Sequence, residues 1–461
     1  MQENARTTRP LKWPAMAKYG AGDLGLNFYW QGVGFFLLYF YTDIVGLPNT
    51  TAGIVYAIGG FVDALSDPVM GVIADRTRSR WGRYRPYLIF GVGPLGLSFI
   101  FLFTLPSLAP VAWVAGVCIA THILFRLCYT VVSIPYGALG TRLTFDARER
   151  TSVAGVRMLS GALGGVVIVM LVSHLRSAMS DQNAFMWISI FAAIIGAALI
   201  CVAFFGTVER RLSGVDSSLP TLRQYSFVDI LKSTARNTPF LIITTALFLL
   251  TLANMVVVKT ILYRFDHILA SPNAGSLTII LMAATPLIAI PIWVKAYHWL
   301  DKRAGFLSGC AIVCLGLLSL YTTGNQSILF AMLSYITIAA GFSAFAVGVW
   351  SIIPDTIDFG HWKSGYRVES ALVGFASAIQ KAAIAIAGLC VGVALDAFGY
   401  HAGEMQDAAT LKALHDFSAW VPIGFMFCAA AVFNFYPITA LKHARIMSVI
   451  SRTTEKKSKL K

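Results

Sequence analysis

The chain has 461 residues, of which 57% are hydrophobic and only 13% are charged, with a formal net charge of +14. An ordinary soluble domain is roughly one quarter charged, so this composition excludes a typical soluble enzyme and predicts a protein that lies in a lipid bilayer. The positive charge also occurs in nucleic-acid-binding proteins, but the positions of the basic residues favour a membrane protein with no nucleic-acid partner.

Twelve apolar stretches are long enough to cross a bilayer, for which a helix needs roughly 20 residues. We therefore predict an all-α membrane protein with twelve transmembrane helices. The stretches cover approximately residues 19–42, 52–74, 86–104, 110–135, 153–173, 187–207, 239–263, 275–295, 304–323, 328–353, 369–395 and 418–440.

The basic residues sort by side of the membrane. With a cytoplasmic amino terminus, thirty of the 36 lysine and arginine residues lie in cytoplasmic segments and three lie in external loops. Cytoplasmic loops of membrane proteins are enriched in Lys and Arg. We expect a multi-pass protein of a bacterial inner membrane with both termini in the cytoplasm.

The first span carries a polar stripe on one helical face. It consists of Asp23, Asn27, Trp30, Gln31 and Gly34. Amides bind sugar hydroxyls and an indole packs on the apolar face of a pyranose, so the stripe is typical of a sugar site. Hydrogen bonds between helices and a Trp packed in the core are the alternative. Asp23, near the inner end, is the member most expected to be structural.

The second span contains two aspartates, Asp63 and Asp67, four residues apart and therefore on one helical face. An intramembrane carboxylate is costly and marks a functional site by default. Two carboxylates so close together share a proton or bind a cation such as Na⁺ between them. Alternatively, they only neutralise a membrane arginine such as Arg126. No organic cofactor is needed.

The fourth span presents His122, Arg126, Thr130, Ser133 and Gly137 as one stripe. Counting inward from the outer ends of the spans places Asp63 and Arg126 near mid-membrane, with Asp67, Thr130 and Ser133 deeper. Thr130 and Ser133 are candidates to complete a cation shell, and Arg126 is a candidate to hold the carboxylates or an anionic group of the substrate. We interpret His122 as a hydrogen-bonded core residue.

The longest polar segment, residues 208–236, separates six spans from six. We predict an N-terminal six-helix bundle over 1–207, a linker over 208–236, a C-terminal bundle over 237–440 and a basic tail over 441–461. The halves carry similar segments, such as SIPYGALG and SIIPDTIDFG at the ends of the fourth and tenth spans. Two pseudo-repeated halves of six spans describe the major facilitator fold.

Two further residues in the second half are candidate substrate contacts. Lys381 has no acidic partner within the eleventh span, so we expect it to cross the central cavity or contact the substrate. Trp350, near the inner end of the tenth span, is a substrate contact or an interfacial anchor. The chain contains no nucleotide-binding loop, zinc signature or nucleophile motif, so we predict no enzymatic activity.

Several segments closely resemble the glycoside-pentoside-hexuronide:cation symporters, the family that contains the melibiose permease. The resemblance covers nearly the whole chain. The matching segments are YGAGD from Tyr19, FYTDIVGLP from Phe40, DALSDPVMGVIADRTRSRWGRYRPY from Asp63, LCYTVVSIPYGALG from Leu127, DARERTSVAGVR from Asp146 and PDTIDFGHWKSGYRVES from Pro354.

The resemblance implies alternating-access symport of a sugar with a monovalent cation or a proton. It implies cation ligands at Asp63, Asp67 and Thr130, a sugar contact at Arg157, and a role for Lys381 in linking the two sites. Two positions depart from the melibiose permease, which has carboxylates where this chain has Asn27 and Ser133. Galactoside specificity therefore does not carry over, and the coupling ion is Na⁺ or H⁺.

The sequence leaves other functions open. Transport direction follows the gradients, so export or exchange of a sugar-derived metabolite is an alternative to import. A sugar sensor that transports nothing is a further alternative. The cations Arg126 and Lys381 suggest an acidic sugar such as a hexuronide.

Overall fold

The computed structural model describes residues 11–209, 227–364, 367–400 and 406–459. These residues form fourteen α-helices and two π-helical turns, Phe40–Ile44 and Arg264–Ile268. The helices are α1 (Trp13–Tyr39), α2 (Asn49–Arg76), α3 (Arg85–Leu108), α4 (Val114–Thr141), α5 (Ala147–Ala178), α6 (Asp181–Gly206), α7 (Phe227–Ala235), α8 (Thr238–Tyr263), α9 (Pro272–Trp299), α10 (Lys302–Thr322), α11 (Ile328–Ser364), α12 (Ser370–Ala397), α13 (Ala408–Asn434) and α14 (Ala440–Lys459).

Eleven of the described helices, α2–α6 and α8–α13, are long and apolar enough to cross a membrane. The first predicted span corresponds to α1, which has 27 residues and so measures about 40 Å at 1.5 Å per residue. That length also exceeds the roughly 30 Å hydrocarbon core. The polar stripe from Asp23 to Gln31 lowers its hydropathy below that of the other eleven. The tenth and eleventh predicted spans correspond to α11 and α12.

The helices pack as two groups, which we call the N-terminal half (α1–α6) and the C-terminal half (α8–α13). Within the N-terminal half, α1 packs on α5 and α6, α3 packs on α4 and α6, and α2 packs on α4. Within the C-terminal half, α8 packs on α12 and α13, α10 packs on α11 and α13, and α9 packs on α11. The halves meet where α2 contacts α12 and where α5 contacts α9 and α11.

Glycines allow α2 and α12 to approach closely. A Cβ atom on Gly374 would lie 2.4 Å from the backbone oxygen of Asp67, and one on Gly71 would lie 2.5 Å from the backbone oxygen of Ser370. Small residues permit such backbone contact between membrane helices. The contact brings the side chains of α12 next to the aspartates of α2.

The polar segments outside the bundles are partly helical. Of the predicted linker over 208–236, residues 210–226 lie outside the described residues, and Phe227–Ala235 forms the short helix α7. The predicted basic tail forms α14, which packs on α11. We call the end of the bundle at which α14 lies the tail end.

Candidate functional site

The two aspartates of α2 are buried at the interface between the halves. Asp63 and Asp67 are both 0% exposed. Arg126 on α4 pairs with Asp63, with 2.7 Å between Nη1 and Oδ2. The predicted proximity of these two helices at this depth is therefore observed.

Lys381 reaches the same aspartates from the C-terminal half. Its Nζ lies 2.8 Å from Oδ2 of Asp67 and 3.2 Å from Oδ2 of Asp63. The predicted partner of Lys381 across the centre of the protein is thus the aspartate pair. Together with Arg126, the four side chains carry two negative and two positive charges. Such balance is expected where charges leave water, because an unpaired buried charge is strongly destabilising.

Hydroxyl groups complete the surroundings of Asp67. Thr130 donates a hydrogen bond of 2.7 Å to Oδ1, and Ser377 on α12 donates one of 2.7 Å to Oδ2. Ser66 donates in turn to the Thr130 hydroxyl at 3.3 Å. By contrast, Oδ1 of Asp63 is buried and accepts no hydrogen bond from the described residues. The cluster therefore contains one carboxylate oxygen with free acceptor capacity and the hydroxyl oxygens of Thr130, Ser377 and Ser66.

His122 supports Arg126 from one turn away on α4. The Nε atom of Arg126 donates to Nε2 of His122 at 2.9 Å, and Nδ1 of the ring lies 3.2 Å from the backbone oxygen of Val55. Because Nε2 accepts, the proton of the neutral ring is on Nδ1 and is donated to Val55. The ring lies against Gly59, where a Cβ would be 2.4 Å from Nε2. His122 is a hydrogen-bonded core residue that orients Arg126.

A cavity of about 390 Å³ lies beside the aspartate cluster and is lined by both halves. Its volume is in the usual range for small-molecule sites. Most of the predicted substrate-binding residues line it, and so does Ser133, which was predicted as a cation ligand. The polar and aromatic lining residues are Asp23, Asn27, Trp30, Gln31, Tyr129, Ser133, Arg157, Trp350, Ser377, Gln380 and Lys381.

Asp23 and Arg157 form an ion pair in the wall of this cavity, with 2.9 Å between Oδ1 and Nε. Asn27 donates to Oδ2 of Asp23 at 3.1 Å. The Arg157 guanidinium also lies over the indole of Trp350, 4.8 Å from the ring centroid. The ion pair therefore fixes the guanidinium against an aromatic face, while Trp350 belongs to the cavity wall.

Trp30 joins the cavity to the aspartate cluster. It stacks on Tyr129 with 5.7 Å between the ring centroids. The cationic groups of Arg126 and Lys381 lie 5.5 Å and 5.4 Å from its centroid, which is cation–π distance. A ligand that contacts this indole is therefore separated from the two aspartates only by the side chains of Arg126 and Lys381.

Gly137 lies deeper, in a small cavity of about 30 Å³ that it shares with Arg157 and Trp350. A Cβ there would be 2.9 Å from Cγ1 of Val373 on α12. The glycine permits the close approach of α4 to the C-terminal half.

A network of ion pairs joins the halves at the tail end. Glu369 pairs with Arg142, which directly follows α4, and with Arg367. Burial alone raises the pKa of Glu369, but the two guanidinium groups outweigh it and lower the pKa to about 2. Asp75 at the end of α2 accepts hydrogen bonds of 2.9 Å from the backbone N–H groups of Ser370 and Ala371, which begin α12.

A second set of ion pairs lies beside the first. Arg150 of α5 contacts Asp355 at 2.8 Å and Asp358 at 2.9 Å, both on α11. Lys302 also contacts Asp355, at 2.7 Å, and His443 of α14 contacts Asp358 at 2.9 Å. Buried ion pairs between the halves hold the tail end closed, since opening it would leave these charges unpaired.

Sequence reasoning did not assign these tail-end residues a role. Their basic members were counted only as cytoplasmic charge, and the acidic members in PDTIDFG were used only as a repeat signal. Asp355 and Asp358 lie three residues apart, on one helical face. This spacing was the feature of the sequence that indicated a cluster of paired charges. Ser377 was also missed as a partner of Asp67, although it lies four residues before Lys381.

The sequence matches known transporter families along almost its full length. A family model described as MFS/sugar transport protein matches residues 18–440. The isoprimeverose transporter of Lactiplantibacillus pentosus is 26% identical over 443 residues, covering 93% of this chain and 90% of the relative. The glucuronide carrier protein homolog of Escherichia coli K12 is 25% identical over 445 residues, covering 95% of each chain.

Solved structures share the fold. The proton:xylose symporter XylE superposes with a TM-score of 0.64 at 13% identity, covering 92% of this chain and 95% of that one. FucP in its outward conformation superposes with a TM-score of 0.62 at 13% identity, covering 89% and 99%. The predicted fold class and the predicted resemblance to glycoside-pentoside-hexuronide:cation symporters are both confirmed. The chain belongs to the MFS/sugar transport protein family and is a membrane transporter, not an enzyme.

Proposed function

We propose that this protein is a secondary active symporter that moves a sugar together with Na⁺ or H⁺ by alternating access. The sugar binds in the 390 Å³ cavity between the halves. The cation or proton binds at Asp63 and Asp67. Related transporters named for isoprimeverose and for glucuronides support a sugar or glycoside as the substrate class.

The observation that carries this proposal is the position of Lys381. Its ammonium group contacts both aspartates, and the same side chain lines the cavity. A cation that binds the aspartates competes with the ammonium group for the same oxygen atoms. Occupancy of the aspartates therefore changes the position of a group in the sugar cavity, which is the physical link that symport requires.

The charge balance of the cluster explains why an ion and a sugar move together. With Arg126 and Lys381 in place, Asp63 and Asp67 are neutralised. When Na⁺ or H⁺ binds, Lys381 is released toward the cavity, where sugar hydroxyls accept hydrogen bonds from its ammonium group. An ion without a sugar leaves that ammonium group poorly partnered, and a sugar without an ion leaves it on the aspartates.

Thr130 and the free Oδ1 of Asp63 supply further oxygen ligands for the ion. We assign Ser133 to the sugar side, because it lines the cavity with Asn27 and Gln31. Hard oxygen ligands suit an alkali cation, and the carboxylates suit a proton equally well. Sugar flux under an imposed Na⁺ gradient or an imposed pH gradient distinguishes the two ions.

The sugar contacts are the amides of Asn27 and Gln31, the indoles of Trp30 and Trp350, and the guanidinium of Arg157. Amides and guanidinium groups bind hydroxyls, while indoles cover the apolar face of the ring. While no ion is bound, Arg126 and Lys381 are both paired with aspartates, so their charge attracts an acidic sugar only after ion binding releases Lys381.

We place the protein in a bacterial inner membrane with the tail end in the cytoplasm, as the distribution of basic residues predicts. The ion pairs of the tail end close that side, so the cavity belongs to the outward-facing state. Transport then requires the pairs of Glu369, Asp355 and Asp358 to open, which exposes the cavity to the other side.

Purified protein in proteoliposomes tests the proposal. Labelled glycosides, pentosides and hexuronides are offered under an imposed Na⁺ gradient, an imposed pH gradient or neither. Accumulation of at least one sugar above equilibrium, with one of the two gradients and not without it, is the expected result. Uptake that only equilibrates under every gradient would identify a uniporter or exchanger, and no uptake of any sugar would favour a sensor.

A further inference from the structure

A second cavity, of about 330 Å³, lies at the tail end, apart from the sugar cavity. It is lined by one helix of the N-terminal half and by several elements of the C-terminal half. Its lining includes Arg148, Tyr297, Lys302, Arg303, Tyr436 and His443. The established family and the proposed sugar transport assign no role to this cavity.

The cavity is complete only when the two halves are together at this end. Arg148 and Thr151 come from α5, and the other lining residues come from the C-terminal half or from α14. The His298 ring of α9 crosses this boundary, with Nε2 3.2 Å from the Ser152 hydroxyl and 3.3 Å from the backbone oxygen of Arg148. A ligand in this cavity therefore contacts both halves at once.

Two guanidinium groups in the lining lack a carboxylate partner. The described residues place no carboxylate within ion-pair distance of Arg148 or Arg303. Arg303 donates to the neutral side chain of Asn434. The two acidic lining residues, in contrast, are already engaged. Asp301 accepts the backbone N–H of Ala304 at 2.6 Å, and Asp355 pairs with Lys302.

Two buried tyrosines line the cavity, and one of them adds an unused hydrogen-bond donor. Tyr297 and Tyr436 are 5% and 6% exposed, and both hydroxyls are without a hydrogen-bond partner among the described residues. Burial raises the pKa of Tyr436 well above its usual value, so this phenol keeps its proton and acts as a donor. A buried hydroxyl without a partner is costly, so the Tyr436 hydroxyl is a donor available to a ligand in this cavity, whereas the Tyr297 hydroxyl packs against Gly348 of α11.

We propose that this cavity binds the phosphate group of inorganic phosphate or of a phosphate monoester, and thereby holds the two halves together at the tail end. Guanidinium forks match phosphate oxygens, and phenolic O–H groups donate to them. The cavity is in the volume range of small-molecule sites, so a monoester the size of a sugar phosphate is accommodated. The consequence for transport rests on the proposed function, whereas the binding itself does not.

Binding is measured with the purified full-length chain by thermal unfolding at constant ionic strength. Inorganic phosphate and a hexose 6-phosphate are titrated separately, with chloride as the reference anion. A saturable rise in the unfolding temperature is expected. A rise with both compounds assigns recognition to the phosphate group alone, and a rise with the ester alone assigns it to a phosphorylated metabolite.

Two variants and one control locate the site. Arg148→Gln and Tyr436→Phe should each weaken the apparent affinity about tenfold, the loss expected for one hydrogen bond to a charged group. Arg176→Gln removes the same charge from the opposite end of α5 and should leave the affinity unchanged. No saturable rise in the wild type, or an equal rise in all four proteins, would overturn the proposal, since it would indicate only a general ion effect.

A transport assay distinguishes a failure of this proposal from a failure of the proposed function. In proteoliposomes, phosphate on the side of the tail should slow sugar uptake by the wild type and slow it less in Arg148→Gln. A chain that binds phosphate but moves no sugar would contradict the proposed function and leave this site standing. A chain that moves sugar but shows no saturable phosphate binding would contradict this site and leave the proposed function standing.

Discussion

Lys381 on α12 and Asp67 on α2 form an ion pair across the interface between the halves, with 2.8 Å between Nζ and Oδ2. The glycine contact between the two helices makes this possible, because Gly374 lies directly against the backbone of Asp67. The pair thus connects the proposed ion site, which lies in the N-terminal half, to the sugar cavity, which is lined by both halves.

Replacing Lys381 should make the stability of the protein depend on the coupling ion. Lys381→Met leaves Asp67 without a cation, and loss of one partner of a buried ion pair costs about 3–5 kcal/mol. Added Na⁺, or added acid for a proton site, should restore part of the loss by binding the aspartates. Thermal unfolding with Na⁺ or choline salts at several pH values measures this. Lys381→Arg is the control that keeps the charge, and a Met variant as stable as wild type in choline would contradict the account.

Asp63 and Arg126 should show strong energetic coupling. Asp63→Asn leaves the Arg126 guanidinium buried with a neutral partner, and Arg126→Gln leaves Asp63 with Lys381 alone. Each single variant should lose several kcal/mol, and the double variant should lose less than the sum, because removal of both partners leaves no charge unpaired. A double-mutant cycle of unfolding free energies measures the coupling. Additive losses would show that the 2.7 Å contact contributes nothing.

Trp30 should matter for sugar affinity more than for turnover. Trp30→Ala removes the indole that we place against the sugar ring, and should raise KM roughly two- to tenfold with little change in maximal rate. Trp30→Phe keeps an aromatic face and should restore most of the affinity. Initial rates of uptake in proteoliposomes measure both quantities. An unchanged KM in the Ala variant would assign this residue to packing alone.

The contact of Gly374 with Asp67 predicts sensitivity to a single methyl group. Gly374→Ala places a Cβ 2.4 Å from a backbone oxygen, so α2 and α12 must separate, at a cost of about 1–3 kcal/mol. The separation should also weaken the Lys381 ion pairs and reduce accumulation of sugar. Gly392→Ala on the same helix is the matched control, because a Cβ there meets no atom within 4 Å. Equal unfolding temperatures for the two variants would refute the close contact.

Glu369 gives the tail end a defined response to pH. The pKa of its carboxyl is lowered from 4.5 to about 2, so its contribution to stability is fully present above pH 4.5 and is lost as the pH falls through 2. The difference in unfolding temperature between wild type and Glu369→Gln should therefore be constant from pH 8 to about pH 5. Below pH 4.5 it should shrink. A difference that already declines between pH 8 and pH 6 would contradict the assignment.

The local pattern of the sequence was sufficient for one part of the site. Helical periodicity alone places Asp63 and Asp67 on one face and Arg126 and Thr130 on one stripe, and the structure brings these four together. Antiparallel neighbouring spans share depth, so counting residues from the membrane ends was informative. The family resemblance added Arg157, which no spacing rule identifies.

The contacts between the halves could not be predicted from helical periodicity and depth. Whether Lys381 meets the aspartates or the substrate depends on how α12 packs on α2, and the close approach of the two backbones requires Gly71 and Gly374. The tail-end network was missed for a related reason, since charged residues at the ends of spans are equally typical of solvated loops. The buried pairing of Arg150 with α11 and of Arg142 with Glu369 distinguishes the two.

Sugar accumulation by Asp67→Asn tests the central claim most directly. Wild-type protein, Asp67→Asn and a control variant are reconstituted separately. The control is Asp229→Asn, which changes an exposed carboxylate on α7. Uptake is followed under the ion gradient that drives the wild type, alongside counterflow without a gradient. The account predicts that Asp67→Asn retains counterflow but only equilibrates the sugar, while the control accumulates it normally. Accumulation by Asp67→Asn to the wild-type level would contradict it.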